Sequence, residues 1–363
     1  MKIGVLGGGQ LGRMLGVAGL PLALEPVFWE PERSACANVI GEHLCALYDD
    51  EAALAQFVKT IDVCTYEFEN VPSAVLKKLA AQVPVYPPLS ALEVSQDRLL
   101  EKQYLADLGI RTAPYAAVDS EQDLHAAVTQ LGLPAILKTR RFGYDGKGQF
   151  VLRSEADVAT AWKTLGGSAL ILEGFVPFQR EVSMIAARGR DGETVFYPLS
   201  ENVHRDGILF TSRALLDDEL QRAAEEVVKR LLGALDYVGV LCLELFDVNG
   251  ELVANEFAPR VHNSGHWTIE GAETSQFENH MRAVAGLPLG NTACVGFPAM
   301  VNIVGVHPEL PLLLKLPQVH VHYYAKTEKP ARKLGHITVR ANSVEQREEQ
   351  IAAVLRHIED KVV

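Results

Sequence analysis

Up to the Pro87-Pro88 pair, the chain switches repeatedly between short apolar runs and stretches with helical spacing, and that switching leaves few folds open. Strand-like runs at 3–6, 26–29, 43–48, 62–66 and 83–86 alternate with helix-like runs at 10–18, 51–60 and 73–80. With connections this short, helices must carry the chain from strand to strand, which implies a parallel sheet covered on its faces. At 363 residues the chain is too long for one core, and two or three domains are expected.

We place the first unit at 1–95 and a small α/β unit at 96–168, with a charge-rich helix over 91–108, strands at 135–138 and 149–152, and a helix at 155–164. The third unit, 169–363, opens on a strand at 169–173. It holds a helix at 220–235 behind Asp217-Asp218 and a hairpin of strands 238–246 and 252–257 joined through Asp247-Val248-Asn249-Gly250. From about 298 the tail reads as β-rich before a final helix at 344–358.

Charge excludes some functions. With 34 Lys and Arg against 46 Asp and Glu, a net charge of −12 argues against non-specific binding to nucleic acid or to an anionic membrane. Five scattered cysteines (36, 45, 64, 242, 294), none in a Cys-x-x-Cys pair, imply neither a disulfide framework nor a zinc cage. There is no signal-peptide pattern and no apolar run of membrane-spanning length, so a soluble cytoplasmic protein is expected.

Two segments look built for phosphate. Ile136-Leu137-Lys138 runs into Gly143-Tyr144-Asp145-Gly146-Lys147-Gly148-Gln149, which puts a lysine at the end of a buried strand and backbone amides in a loop free of Cβ obstruction. The competing interpretation is a glycine-rich hairpin with solvated lysines; a Walker A loop is excluded by spacing. Gly7-Gly8-Gly9-Gln10-Leu11-Gly12, followed by Glu30, fits a dinucleotide fingerprint, but the sheet stops too early for a second mononucleotide half. Amides at a helix N-terminus hold a phosphate monoester equally well.

Glu244 and Glu256 are acids in otherwise apolar strands of one hairpin, where two facing carboxylates need a cation between them. Hard oxygen ligands beside a polyphosphate loop point to Mg²⁺; two solvated acids are the alternative. Arg260 and His262 suit a small oxyanion, His266 fits a functional or a structural role equally, and His320 and His322 read as structural. No G-x-S-x-G is present.

Together with Gly9-Gln10-Leu11-Gly12-Arg13-Met14-Leu15, Thr65-Tyr66-Glu67-Phe68-Glu69-Asn70, Phe196-Tyr197-Pro198-Leu199 and Asn255-Glu256-Phe257-Ala258-Pro259-Arg260-Val261-His262-Asn263-Ser264-Gly265-His266, these motifs resemble the ATP-grasp superfamily. Within it they are most similar to the 5-(carboxyamino)imidazole ribonucleotide synthases of purine synthesis. Ala258 replaces an Asn frequent in other branches, which favours the purine branch.

That resemblance implies an α/β and α+β chain: a Rossmann-like pre-ATP-grasp domain, a small lid, and an antiparallel-sheet domain with a β-rich tail. It implies ATP bound by Arg98, Lys138, Gly143, Tyr144, Asp145, Gly146, Lys147, Gly148, Gln149, Glu173, Gly174, Phe175, Val176, Glu181, His204, Asn255 and Glu256. Mg²⁺, or Mn²⁺ in its place, would sit on Glu244 and Glu256, and Arg260, His262, Asn263 and Asp145 would act in catalysis. Aminoimidazole ribonucleotide would meet Gly9, Gln10, Leu11, Glu67, Tyr144, Lys326, Arg332 and Lys333. The implied reaction carboxylates that nucleotide with bicarbonate and ATP in a cytoplasmic homodimer. An NAD(P) oxidoreductase and a non-catalytic nucleotide-binding regulator are the competing classes.

Overall fold

The computed structural model describes residues 1–143 and 146–359. β1 (Lys2–Leu6), β2 (Glu25–Trp29), β3 (Glu42–Leu44) and β4 (Val63–Tyr66) form a parallel sheet in the order β3-β2-β1-β4. The strand expected at 83–86 contributes only a parallel bridge from Val85 to Cys64. Leu6, Val27, Trp29, Cys64 and Tyr66 pack with Phe57 and Leu76 from the flanking helices, as strands buried by crossover connections require. Helix Gln10–Gly19 starts just past β1, so its N-terminus lies at the carboxyl edge of this sheet.

A small antiparallel sheet follows, of β5 (Tyr115–Val118), β6 (Ala135–Thr139), β7 (Gln149–Leu152) and β8 (Leu170–Gly174) in the order β5-β8-β6-β7. Leu124, Ala127 and Val128 of helix Glu121–Leu131 and Val158 and Ala161 of helix Asp157–Leu165 fill its core. Because β8 is the strand between β5 and β6, the break placed at 168 cuts through this sheet; pairing carries it to Gly174.

The remaining strands are β9 (Arg180–Arg188), β10 (Thr194–Phe196), β11 (Ser200–Arg205), β12 (Ile208–Ala214), β13 (Gly239–Val248), β14 (Glu251–Ala258), β15 (Phe297–Val304), β16 (Val319–Tyr323) and β17 (Lys333–Ala341). They make one nine-stranded sheet, β14-β13-β9-β11-β12-β15-β17-β16, with β10 beside β9. The tail therefore continues this sheet through the pairing of Thr211 with Val301. Successive residues of β9 and β13 feed opposite cores. Met184, Ala186, Leu241 and Leu243 pack under helix Gln221–Ala234, while Ile185, Ala187, Val240 and Cys242 meet helix Gln276–Ala285.

The single helix expected over 91–108 is two helices, Leu89–Ser95 and Arg98–Asp107, because the Asp97 carboxylate caps the N–H groups of Leu99 and Leu100 and starts a new axis. Ala91 and Leu105 belong to the core of the large sheet, so the boundary at 96 separates residues that pack together. Asp218, expected as a helix-start signal, does accept from Leu220 N–H, but its main partner is Arg180, at 2.6 and 3.1 Å.

Candidate active site

The hairpin carrying the two acids is irregular. Leu243 pairs with Phe257 but Leu245 pairs with Ala254, so β14 has one residue more than β13 and both Asn255 and Glu256 lie against Glu244. Such a bulge re-aims a side chain, and here it opens both carboxylates onto one cleft. Glu244 Oε1 lies 3.0 Å from His262 Nε2, and Arg98 donates to Glu256 Oε2. Burial alone would raise Glu256, yet Arg98 and Lys138 hold it at about 2. Burial would lower His262, but Cys242 and Glu244 raise it to about 10. Two hard oxygen donors on a rigid hairpin fit Mg²⁺, and among the described residues no set of three or more His, Cys, Asp or Glu is poised for a metal, so phosphate oxygens and water would complete the shell.

Lys138, next to last in β6, has its ammonium 3.0 Å from Glu173 Oε2, and Lys102 reaches the same oxygen at 3.5 Å while donating to Asn255 O at 2.8 Å. Beside it, Glu101 Oε1 accepts Phe257 N–H at 2.6 Å; burial and the Glu256 carboxylate raise Glu101 to about 8. Glu173 was expected to touch ATP. It lies 3% exposed and anchors Lys138, which lines the cleft. Gly174 ends β8, and Phe175, just past it, donates its N–H to Pro134 O at 3.2 Å.

Gly143, Gly146, Lys147 and Gln149 line the cleft; Tyr144 and Asp145 lie outside the described residues. Gly148, at φ 72°, lies against Thr139: a Cβ there would come within 2.6 Å of Thr139 Oγ1. Ile136, Leu209 and the stacked Phe178–Phe246 pair (4.7 Å, 11°) supply an apolar end, with Glu181 and His204 3.0 Å apart beside it. That combination suits a flat base with polar edges.

At the other end stand Gln10, Leu11, Tyr324, Lys326, Arg332 and Lys333. Lys326 donates to Gln10 at 2.5 Å, bridging 316 residues, so the tail closes over the first helix. The Gly9 amide, expected to bind phosphate, is already taken. Both Gly9 and Gly12 N–H donate to Glu67, and Gly8 N–H donates to Glu30 at 3.0 Å. Glu67, 6% exposed, thus caps the helix. The same two carboxylates occupy the amides a dinucleotide's pyrophosphate would need.

Between the two ends sit Arg260, His262 and Asn263. Arg260 is gripped by Glu69, its Nη2 2.9 Å from Oε1 and its Nε on Oε2. Asn263 exchanges hydrogen bonds with Asn302 at 2.7 and 3.1 Å, and His262 Nδ1 meets Ser264 Oγ at 2.8 Å. His266 borders the cleft but is packed in the core against Phe277 and His336, and His322 pairs with Glu270 at 2.7 Å. The whole cleft encloses about 880 Å³. Glu69, Glu101, Lys102, Phe178, Phe246 and Tyr324 are the participants that sequence reasoning missed.

A lysine strand, a glycine loop, and two acids on an antiparallel hairpin around one cleft define an ATP-grasp protein, and residues 103–277 match the ATP-grasp domain. Residues 1–96 match the ribonucleotide synthetase preATP-grasp domain and 298–350 the phosphoribosylaminoimidazole carboxylase C-terminal domain. The chain is 55% identical over 340 residues to the N5-carboxyaminoimidazole ribonucleotide synthase of Pseudomonas aeruginosa, covering 94% of each. Its fold superposes on the N5-carboxyaminoimidazole ribonucleotide synthetase of Thermus thermophilus with a TM-score of 0.94, at 53% identity and 98% of each chain. The Aspergillus clavatus synthase, in complex with ADP and 5-aminoimidazole ribonucleotide, gives 0.91 at 31% identity, over 99% of this chain and 98% of that one. The chain belongs to the N5-carboxyaminoimidazole ribonucleotide synthase family.

Proposed function

We propose that this protein carboxylates the exocyclic amine of 5-aminoimidazole ribonucleotide with bicarbonate, converting ATP to ADP and phosphate, as a step of purine synthesis. What carries this reading is one cleft in which an acid pair, a cationic loop and a half-buried arginine lie between an apolar base-sized end and a cationic nucleotide-sized end. The base of ATP would lie against Phe178, Phe246 and Ile136, with its phosphates toward Lys138, Arg98 and the 143–149 loop. Mg²⁺ on Glu244 and Glu256 would supply Lewis-acid charge at the phosphoryl group.

Arg260, with His262 and Asn263, would orient bicarbonate so that its oxygen attacks the γ-phosphorus and displaces ADP, giving carboxyphosphate. The amine then captures either carboxyphosphate, expelling phosphate, or the CO₂ released from it. Carboxyphosphate hydrolyses readily, so the glycine loop must also exclude water. Lys326, Arg332 and Lys333, with Gln10 and Leu11, would hold the phosphorylated ribose. Family resemblance adds a homodimer and a cytoplasmic setting; sedimentation tests the first. Among the described residues no helix is long and apolar enough to cross a membrane.

The test is ADP release with ATP and Mg²⁺ as bicarbonate and the aminoimidazole nucleotide are supplied singly and together. Fast release is expected only with both. Saturable micromolar NAD binding would instead revive the oxidoreductase.

Arg260→Lys keeps the charge but cannot serve Glu69 and a planar anion together. The bicarbonate KM should rise at least about tenfold, roughly 1.4 kcal/mol, with the ATP KM nearly constant. A raised ATP KM with unchanged bicarbonate saturation would assign Arg260 to the nucleotide.

A further inference from the structure

Arginine has five N–H donors in a planar fork. In Arg260, Nε and one Nη2 hydrogen go to Glu69, and one Nη1 hydrogen goes to Val261 O at 3.1 Å. That leaves one N–H on each terminal nitrogen, and with Val261 O taking the Nη1 hydrogen on the Cδ side the two lie side by side at the tip of the guanidinium. A planar anion gripped there is held by two parallel hydrogen bonds. Rotation about Cδ–Nε is blocked as long as Glu69 holds the flank.

Glu69 is itself anchored. Gln96, 8% exposed, donates from Nε2 to the carbonyls of Glu69 and Val71, each at 2.8 Å, and its Oε1 accepts from Arg141 at 2.8 Å. Arg141 lies two residues before Gly143, the first residue of the glycine loop. A continuous set of hydrogen bonds therefore runs from that loop through Gln96 and Glu69 to Arg260. Burial would raise the Glu69 carboxyl, but Arg260 more than offsets it, so the grip stays charge-assisted.

We propose that Glu69 is a positioning residue that presents the tip of Arg260 to bicarbonate, and that Gln96 ties this receptor to the nucleotide loop. The proposal rests on the carboxylation reading above. Glu69 acts through Arg260, so its loss should appear in bicarbonate binding and not in the binding of the two nucleotides.

The test is a cycle of Glu69→Gln, Arg260→Lys and the double variant, each checked for folding by circular dichroism, with KM measured for bicarbonate, ATP and the aminoimidazole nucleotide. Glu69→Gln should raise the bicarbonate KM about tenfold, one bidentate grip's worth, with kcat at saturating bicarbonate within about threefold and both nucleotide KM values within about twofold. The double variant should be no worse than Arg260→Lys alone. If Glu69→Gln does not fold, Glu69→Asp enters the same cycle. Multiplying effects in the double variant, or a rise confined to the aminoimidazole-nucleotide KM, would overturn the role of Glu69. Failure of the unaltered protein to release ADP in response to bicarbonate would overturn the carboxylation itself, a separate result.

Discussion

Replacing Glu256 by alanine is expected to lower kcat at least ~10²-fold, because a metal ion held by one carboxylate loses several kcal/mol of charge stabilisation at the phosphoryl group. The same substitution strips Arg98 of its partner. Arg98 is 18% and Glu256 35% exposed at the side chain, so water screens part of that loss and the protein should stay folded. Glu256→Gln separates the two effects, since its amide oxygen still accepts from Arg98 but binds a hard cation poorly. Both variants should lose activity, and only the alanine should shift the urea midpoint appreciably. Glu244→Ala should match them in kcat. ADP release measured over an Mg²⁺ titration decides the matter, and near-normal turnover by folded Glu256→Ala would remove the acid pair from the mechanism.

Glu244 and Glu256 were legible because an acid inside an apolar strand is anomalous, and Lys138 because it ends one before a glycine loop. The bulge that aligns the acids was not, since a register shift of one residue leaves no trace in hydrophobic pattern. Glu101 and Lys102 leave no sign in the sequence: charges on a helix face solvent by default, and only the docking of helix Arg98–Asp107 against β14 buries them. Glu69 meets Arg260 across 191 residues, and Glu67 meets Gly9 across 58, pairings no local motif encodes. Helix Glu121–Leu131 did carry a signal, Ser120 with Asp123 three residues on, which caps it as found. The half-exposed, four-residue β5 carried none. Alternation predicted the parallel sheet because crossover strands must be apolar throughout, whereas membership of β8 depends on partners distant in sequence.

Glu173→Ala should be the most destabilising single change at the site, by about 3–5 kcal/mol in denaturant titration, the range for breaking a buried ion pair by removing one partner. Two ammonium groups share the Glu173 carboxylate, with side chains only 2% (Lys102) and 11% (Lys138) exposed, so the loss leaves positive charge without a counter-ion on the cleft floor. The two lysines answer differently. Burial already lowers Lys102, and losing Glu173 lowers it further, which limits the cost at that position. Lys138 borders the cleft and can turn toward a bound phosphate. Saturating ATP with Mg²⁺ should therefore recover part of the lost stability, and the ATP KM should rise while the aminoimidazole-nucleotide KM changes little. A loss below about 1 kcal/mol would mean that water reaches the lysines and that the pair is worth no more than a surface one.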